Sequence, residues 1–251
     1  MDRDPPADVL VLGGTVYTPR QRLADGWVAI RGSRIAALGQ GEPPDLPDGV
    51  RTIAALGLIV APGFIDLHVH GGGGADVMDT TEEALRTVAQ THAAGGTTSW
   101  FGSTVTAPRQ ATMAAIQAAA GLVDQPMDGA TLRGIHLEGP YLSPAQLGAH
   151  RLEYARLPDA DEYGAFFAAM AGRGRLKAAP ELAGALALGE TARRHGVHVA
   201  MGHSNADLAV IRQALAAGYQ HVTPPLLLLL GPAHRGRLQA AGHQRGGTPA
   251  G

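Results

Sequence analysis

The stretch Pro62-Gly63-Phe64-Ile65-Asp66-Leu67-His68-Val69-His70-Gly71-Gly72-Gly73-Gly74 decides the fold of this 251-residue chain. Apolar and polar residues alternate from Ile65 to His70, which is the period-2 pattern of a β-strand. His68 and His70 then project from the same face, about 6–7 Å apart at ~3.3 Å per residue, so both imidazoles can reach one cation. The glycines that follow allow close backbone packing near such a site.

Downstream of this strand, predicted strands and helices alternate. The strands are predicted at 65–69, 97–101, 132–137, 176–179, 197–201 and 220–223, and the helices near 81–93, 109–121, 159–171, 181–195 and 206–217. Ser204, with Asp207 three residues on, is predicted to cap the last of these helices. Alternation at this spacing predicts a parallel sheet with crossover helices.

Residues 8–60 have a different pattern, made of short strands and turns. Val9–Leu12 and Thr15–Tyr17 predict two strands on either side of a Gly13-Gly14 turn. The segment 39–49 is rich in proline and glycine and predicts a loop. This part of the chain therefore predicts a small β unit that precedes the α/β region.

Candidate metal ligands lie where the predicted strands end. His68 and His70 end the first strand, Glu138 ends the third, and His203 follows the fifth. The carboxyl ends of the strands form the active-site face of a (β/α)8 barrel, so these side chains are expected to converge there. Histidine and carboxylate ligands suit Zn²⁺ first, with Fe²⁺, Mn²⁺ and Co²⁺ as alternatives. His136 shares the strand face of Glu138 and is a weaker candidate for a ligand or a supporting group.

The composition excludes several other classes of protein. The chain has no cysteine, so disulfides and thiolate metal sites are excluded, whereas its 11 histidines supply candidate ligands. A net charge of −2 gives no electrostatic signature of nucleic-acid or membrane-surface binding. No apolar run reaches the ~18 residues of a membrane span. Residues 1–6 lack the pattern of a secretory signal, so a cytoplasmic protein is expected.

Four motifs together resemble a known family. The segment 61–72 resembles the first metal motif of the amidohydrolase superfamily. His136-Leu137-Glu138-Gly139-Pro140-Tyr141, Ala179-Pro180-Glu181 and Gly202-His203-Ser204-Asn205-Ala206 narrow the resemblance to the N-acetylglucosamine-6-phosphate deacetylases. The resemblance implies an incomplete (β/α)8 TIM barrel with a small N-terminal β-sandwich domain.

The resemblance also implies a reaction and roles for single residues. The reaction is the metal-dependent hydrolysis of the acetamide of N-acetylglucosamine 6-phosphate to glucosamine 6-phosphate and acetate. Glu138 and His203 would ligate the principal metal, and His68 and His70 would hold a second one. The family further implies a homodimer that acts on a small amino-sugar phosphate.

Substrate contacts and the general base are implied in the same way. His150 matches a substrate-contacting histidine of the family, and Ala149 beside it would share this role. In the family an aspartate acts as general base, but this sequence has no counterpart, so no catalytic residue is identified. After the fifth strand the family continues Thr-His-Leu-Phe, whose histidine is a metal ligand, whereas Pro224 follows Thr223 here.

The segment 224–251 departs from the family pattern and is expected to be disordered. Two prolines precede Leu226–Leu230, and the rest is basic, rich in Gly and Pro, and aperiodic. One extra base in the codons for Thr-His-Leu-Phe gives Thr-Pro-Pro-Leu, so we hypothesise a frameshift after Thr223, which sequencing the gene would test. A sheet with about six of the eight barrel strands is expected to keep open edges and to aggregate.

These features predict three regions: a β-sandwich part at 1–60, an amidohydrolase barrel at 61–223, and the tail at 224–251.

Two alternative functions stay open. A dihydroorotase-like cyclic amidase would use a modified lysine on the fourth strand, and Lys177 lies near the start of that predicted strand, but Glu138 at the end of the third favours a deacetylase. The other alternative is a non-catalytic metal- or sugar-phosphate-binding fragment, which a turnover assay distinguishes from an enzyme.

Overall fold

The computed structural model describes residues 8–43 and 49–223 of the chain. The chain divides into two compact units, one ending at Gly63 and the other beginning at Phe64. The predictions for the segment 224–251, including Leu226–Leu230, lie outside the described residues.

The first unit consists of β-strands. They are β1 (Val9–Tyr17), β2 (Arg22–Arg31), β3 (Arg34–Gln40), β4 (Arg51–Ala54) and β5 (Ile59–Val60). The strand order is β3-β2-β1-β4, and β5 also pairs with β1, so the described strands form one sheet where a sandwich predicts two. Trp27 packs against Leu10 and Ala29 in a small core on this sheet.

The predicted turn at Gly13-Gly14 is wrong, because β1 runs through both glycines. The pairing of β1 with β2 shifts register between Leu12 and Gly14, and Gly13 has φ +80°. A glycine in this conformation allows an irregularity within a strand without reversing its direction. The two strands predicted here are therefore one continuous strand.

The second unit alternates strands and helices. The strands are β6 (Phe64–Val69), β7 (Gly71–Gly72), β8 (Ala75–Asp76), β9 (Thr97–Thr104), β10 (Thr131–Glu138), β11 (Gly174–Ala178), β12 (His198–Met201) and β13 (Tyr219–Val222). The helices are α1 (Glu82–Ala94), α2 (Arg109–Ala120), α3 (Ala160–Met170), α4 (Ala185–Arg194) and α5 (Leu208–Ala216).

Six of these strands form one parallel sheet in the order β13-β12-β11-β10-β9-β6. Each strand lies beside its neighbour along the chain, which is the arrangement of an incomplete (β/α) barrel. The predicted fold class is confirmed. Alternate side chains of a parallel strand point to opposite faces, so this sheet separates a helix-covered face from a concave face.

The core lies between the sheet and its helices. Ile135 and Leu137 of β10 are fully buried in this core, together with Trp100 of β9 and Phe166 of α3. Residues 136 and 138 of β10 therefore point to the concave face. This alternation places polar side chains at the carboxyl ends of the strands.

Two local predictions are wrong. The fourth barrel strand begins at Gly174 rather than 176, so Lys177 lies at its end, in register with Glu138. The last helix begins at Leu208 with Asp207 as N-cap, whose side chain accepts from the Val210 N–H. Ser204 does not cap it, because its hydroxyl bonds to Glu181.

Candidate metal centre

Glu138 lies at the centre of a cluster on the concave face of the sheet. Its carboxylate is almost fully buried, with 4% of the side chain exposed. The predicted ligands His68, His70 and His203 all bring an Nε2 atom within hydrogen-bond distance of this carboxylate. The structure therefore brings together four side chains from three strand ends, those of β6, β10 and β12, and their role as ligands stays a prediction.

One carboxylate oxygen faces two imidazoles. Oε2 of Glu138 lies 2.7 Å from Nε2 of His68 and 2.8 Å from Nε2 of His70. The two Nε2 atoms are 3.0 Å apart. Ligand atoms about 2.0–2.1 Å from a tetrahedral zinc ion lie ~3.3 Å from one another, so a small expansion of this triangle would fit a metal.

The other ring nitrogens fix the tautomers of two histidines. Nδ1 of His70 donates to the carbonyl oxygen of Ser103 at 3.2 Å, and Nδ1 of His203 donates to the carbonyl oxygen of Gln146 at 2.7 Å. In a neutral imidazole, Nε2 is then an electron-pair donor, as metal ligands must be. A lone pair facing a carboxylate oxygen requires a cation between them, either a proton or a metal. The donor set therefore fits a divalent metal.

The charges around Glu138 keep it ionised. Burial alone would raise its pKa, but hydrogen bonds with His203, His68 and His70 and the charge of Lys177 hold the pKa far below its usual range. In return, the bond to Glu138 raises the pKa of His70 against the opposing effect of burial. The cluster is thus arranged around a permanent negative charge.

His150 enters the cluster from the loop after β10, with a different tautomer. Its Nδ1 accepts from the backbone N–H of Thr106 at 3.2 Å, so the proton of the neutral ring is on Nε2. Nε2 lies 3.7 Å from Oε2 of Glu138. Burial lowers the pKa of His150 to about 4, so the ring is neutral at pH 7. His150 therefore offers the site a hydrogen-bond donor, whereas Ala149 beside it is exposed.

A buried ionic network anchors the loop that carries His150. The Tyr141 hydroxyl donates to Glu162 at 2.9 Å, and Arg156 pairs with the same carboxylate through Nε and Nη2. Arg156 also donates to the carbonyl oxygen of Ala107 at 3.0 Å. The network ties both ends of the loop to α3 and to the segment between β9 and α2.

The glycine run after His70 forms a tight hairpin of β7 and β8. A Cβ on Gly71 would collide with the carbonyl oxygen of Ala75, so only glycine fits there. The carbonyl oxygen of Gly71 accepts from Nε2 of His92 at 3.1 Å. The expected close backbone packing beside the histidines is present.

The site includes two further residues: Lys177, which was not predicted there, and His136, which was predicted as a weaker ligand or a supporting group. Lys177 places Nζ 2.5 Å from Oε1 of Glu138. His136 bonds through Nδ1 to the Ser103 hydroxyl at 2.9 Å and packs edge-on against the His68 ring. Burial holds the pKa of His136 well below its usual range, so it is neutral. The alternation of Arg175 and Lys177 with buried neighbours was the sequence signal that could have placed Lys177 on this face.

A parallel sheet with histidines and a carboxylate at its carboxyl ends is the arrangement of barrel proteins that carry a metal-ligand cluster. The Amidohydrolase family model matches residues 59–231. The chain belongs to the amidohydrolase family.

Relatives within this family act on acetylated amino-sugar phosphates, by their names. An N-acetylglucosamine-6-phosphate deacetylase of Vibrio furnissii is 38% identical over 175 residues, which is 68% of this chain and 44% of the relative. An N-acetylgalactosamine-6-phosphate deacetylase of Escherichia coli O157:H7 is 38% identical over 161 residues, 64% of this chain and 43% of the relative.

A solved structure of a protein with the same kind of name is also similar to this chain. The N-acetyl-D-glucosamine-6-phosphate deacetylase of Mycobacterium smegmatis, in complex with N-acetyl-D-glucosamine 6-phosphate, matches with a TM-score of 0.76 and 34% identity. The match covers 86% of this chain and 55% of that one. The chain thus spans about half the length of the relatives it matches. Within the described residues, no helix is long and apolar enough to cross a membrane.

Proposed function

We propose that this chain carries the metal-binding half of an amino-sugar 6-phosphate deacetylase, which hydrolyses N-acetylglucosamine 6-phosphate to glucosamine 6-phosphate and acetate. The observation that carries the proposal is the convergence of His68, His70 and His203 on the buried carboxylate of Glu138. Zn²⁺ is the proposed metal, and Fe²⁺, Mn²⁺ and Co²⁺ are the alternatives that the same ligands suit.

The chemistry of the site agrees with amide hydrolysis. A divalent cation bound by imidazole and carboxylate groups polarises a carbonyl oxygen and lowers the pKa of water toward ~7. The Nε2–H of His150 points into the same space and would donate to the acetamide or to a sugar hydroxyl. Glu138 is the one carboxylate in the two ligand clusters found among the described residues. These clusters therefore contain no second carboxylate that could serve as the general base.

The comparisons do not distinguish between two sugar configurations. A relative named for N-acetylglucosamine 6-phosphate and one named for N-acetylgalactosamine 6-phosphate are each 38% identical to this chain over the matched residues. The two substrates differ only at C4 of the ring. The alternative function is therefore the deacetylation of N-acetylgalactosamine 6-phosphate. Both substrates are to be compared in the same assay. The homodimer and the cytoplasmic location implied for this protein remain proposals.

The test is acetate release from each substrate by the purified chain with added Zn²⁺ or Fe²⁺. We expect Glu138→Gln to lower the rate at least ~100-fold, because it removes the charge that holds the cation. Glu153→Gln is the matched control, since Glu153 is exposed and pairs only with Arg151 among the described residues. Zinc binding without acetate release would contradict the proposal and favour a non-catalytic metal-binding fragment. Release that survives in Glu138→Gln would also contradict it.

A further inference from the structure

Lys177 is a buried cation beside the carboxylate of the metal centre. It is 1% exposed, and β11 places it in register with Glu138 of β10. Its Nζ lies 2.5 Å from Oε1 of Glu138. A buried lysine is retained only where its charge is compensated, and this carboxylate compensates it.

The two oxygens of Glu138 therefore have different surroundings. Oε2 faces Nε2 of His68 and His70, which can both supply electron pairs. Oε1 faces Nε2 of His203 at 3.1 Å, but it also accepts from the ammonium group of Lys177. The Oε2 side offers two electron-pair donors to an added cation, whereas the Oε1 side already holds the ammonium group of Lys177.

Two further contacts define which groups lie around the carboxylate of Glu138. A Cβ on Gly202 would lie 2.7 Å from Cδ of Lys177, so the backbone of residue 202 packs against the lysine stem and holds the ammonium group in place. His150 lies nearest Oε2, with its Nε2 3.7 Å away. It cannot act as a ligand through Nε2, because Thr106 donates to Nδ1 and leaves the proton on Nε2. Only His203 remains beside Oε1 as an imidazole ligand.

A metal ion on Oε1 would meet strong repulsion. It would lie about 2.0–2.2 Å from the oxygen, and Nζ lies 2.5 Å from the same atom, so the two cations would be less than ~5 Å apart. At that distance a dication and an ammonium group repel strongly even in a polarisable environment. A cation held by Oε2, His68 and His70 would lie further from Nζ and meet weaker repulsion, because Coulomb repulsion falls with distance.

We propose that Lys177 serves as a built-in cation at Oε1 of Glu138. The site then holds one divalent cation, bound by Oε2, His68 and His70, instead of two cations bridged by the carboxylate. This inference rests on the proposed function only for its metal centre. It also reverses the order that the family resemblance implies, in which Glu138 and His203 hold the principal metal.

The test counts zinc ions on the purified full chain after removal of excess metal, and measures their affinity by calorimetry. We expect one Zn²⁺ per wild-type chain and two per chain in Lys177→Met. Lys177→Gln keeps a donor to Oε1 without the charge, and we expect it also to bind two. The second ion should bind at least ~100-fold more tightly in these variants than in the wild type.

Matched variants locate the single ion. Arg175→Met removes a cation two residues earlier on the same strand face, where the guanidinium lies over the Phe101 ring, and it should leave the count at one. His68→Asn should abolish zinc binding, whereas His203→Asn should keep it. Two ions on the wild type, or none, would overturn the inference. So would loss of the ion in His203→Asn with retention in His68→Asn.

The count is independent of turnover. If one ion binds through His68 and no acetate is released, the proposed function fails and the role of Lys177 stands. If acetate is released by a chain that holds two ions, the proposed function stands and the inference about Lys177 fails. Circular dichroism of each variant confirms folding, and the histidine variants test the position of the ion even if Lys177→Met does not fold.

Discussion

Glu138 shows how a single residue organises this site. Its carboxylate lies out of water, which costs free energy unless positive charge or hydrogen bonds compensate. Three imidazoles and one ammonium group surround it, at distances of 2.5–3.1 Å. Lys177 compensates the charge, but three imidazoles on the same carboxylate give it the donor set of a metal site, which is the physical reason to regard the cluster as a metal centre.

Close packing at single glycines gives a stability prediction. A Cβ on Gly134 of β10 would collide with the carbonyl oxygen of Arg173 and lie 2.6 Å from the Phe101 ring. Gly134→Ala should therefore lower the free energy of unfolding by about 1–3 kcal/mol. Urea unfolding followed by circular dichroism measures the change.

The matched control for this prediction is Gly164→Ala in α3. A Cβ at Gly164 would meet no atom within 4 Å. Alanine is favoured over glycine in a helix by about 0.5–1 kcal/mol, so this variant should be more stable than the wild type. Equal effects of the two substitutions would show that packing around β10 is looser than the structure indicates.

At the scale of elements, the sequence predicted which strand ends carry the candidate ligands. It did not predict which side chains from other segments contact them. Period-2 alternation places His68, His70 and Glu138 on one face, and the parallel sheet aligns their strands. Lys177 was missed because the fourth strand was predicted two residues late. The cap at Asp207 was missed because Ser204 bonds to Glu181, which no local pattern reveals. Contacts between distant segments decided both cases.

Glu181 joins the end of one βα unit to the start of the next. Its carboxylate accepts from the Ser204 hydroxyl and from the backbone N–H of Asn205, both at 2.6 Å. These residues follow His203, which has φ +48°, a conformation that most residues disfavour. The Ala-Pro-Glu motif therefore stabilises the loop that presents His203.

Glu181→Ala should lower the free energy of unfolding by about 2–3 kcal/mol, because two charge-assisted hydrogen bonds are lost. Glu181→Gln keeps one acceptor and one donor and should recover about half of this loss. Urea unfolding of the three proteins measures both effects. If alanine and glutamine are equally destabilising, negative charge at position 181 matters more than the two hydrogen bonds.

At the scale of the whole molecule, metal binding should contribute to stability. A ligand present at 1,000 times its Kd stabilises the folded state by about 4 kcal/mol. For a chain of this size, each kcal/mol corresponds to about 2–4 °C in Tm. Removal of the metal with EDTA should therefore lower the Tm by roughly 10 °C, as scanning calorimetry would measure. Glu138→Gln should show little response to EDTA, and an equal response would place the stabilising metal elsewhere.

The open sheet also predicts how the molecule associates. β6 ends the sheet of the described strands, and its Ile65 is 68% exposed. An apolar edge strand offers unpaired backbone groups to other chains, and a charged side chain on such an edge opposes that pairing. Ile65→Lys should therefore slow aggregation on heating several-fold, as followed by light scattering, while zinc binding is unchanged.

The change in net charge could itself alter the aggregation rate, so the control must add the same charge away from a strand. Leu208→Lys does this, because Leu208 is 63% exposed at the start of α5. Both variants move the formal net charge from −2 toward zero, which by itself favours association. A slower aggregation rate in Ile65→Lys alone would therefore identify the edge of β6 as the surface of association. Equal rates in the two variants would exclude it, and association would then begin from another part of the chain.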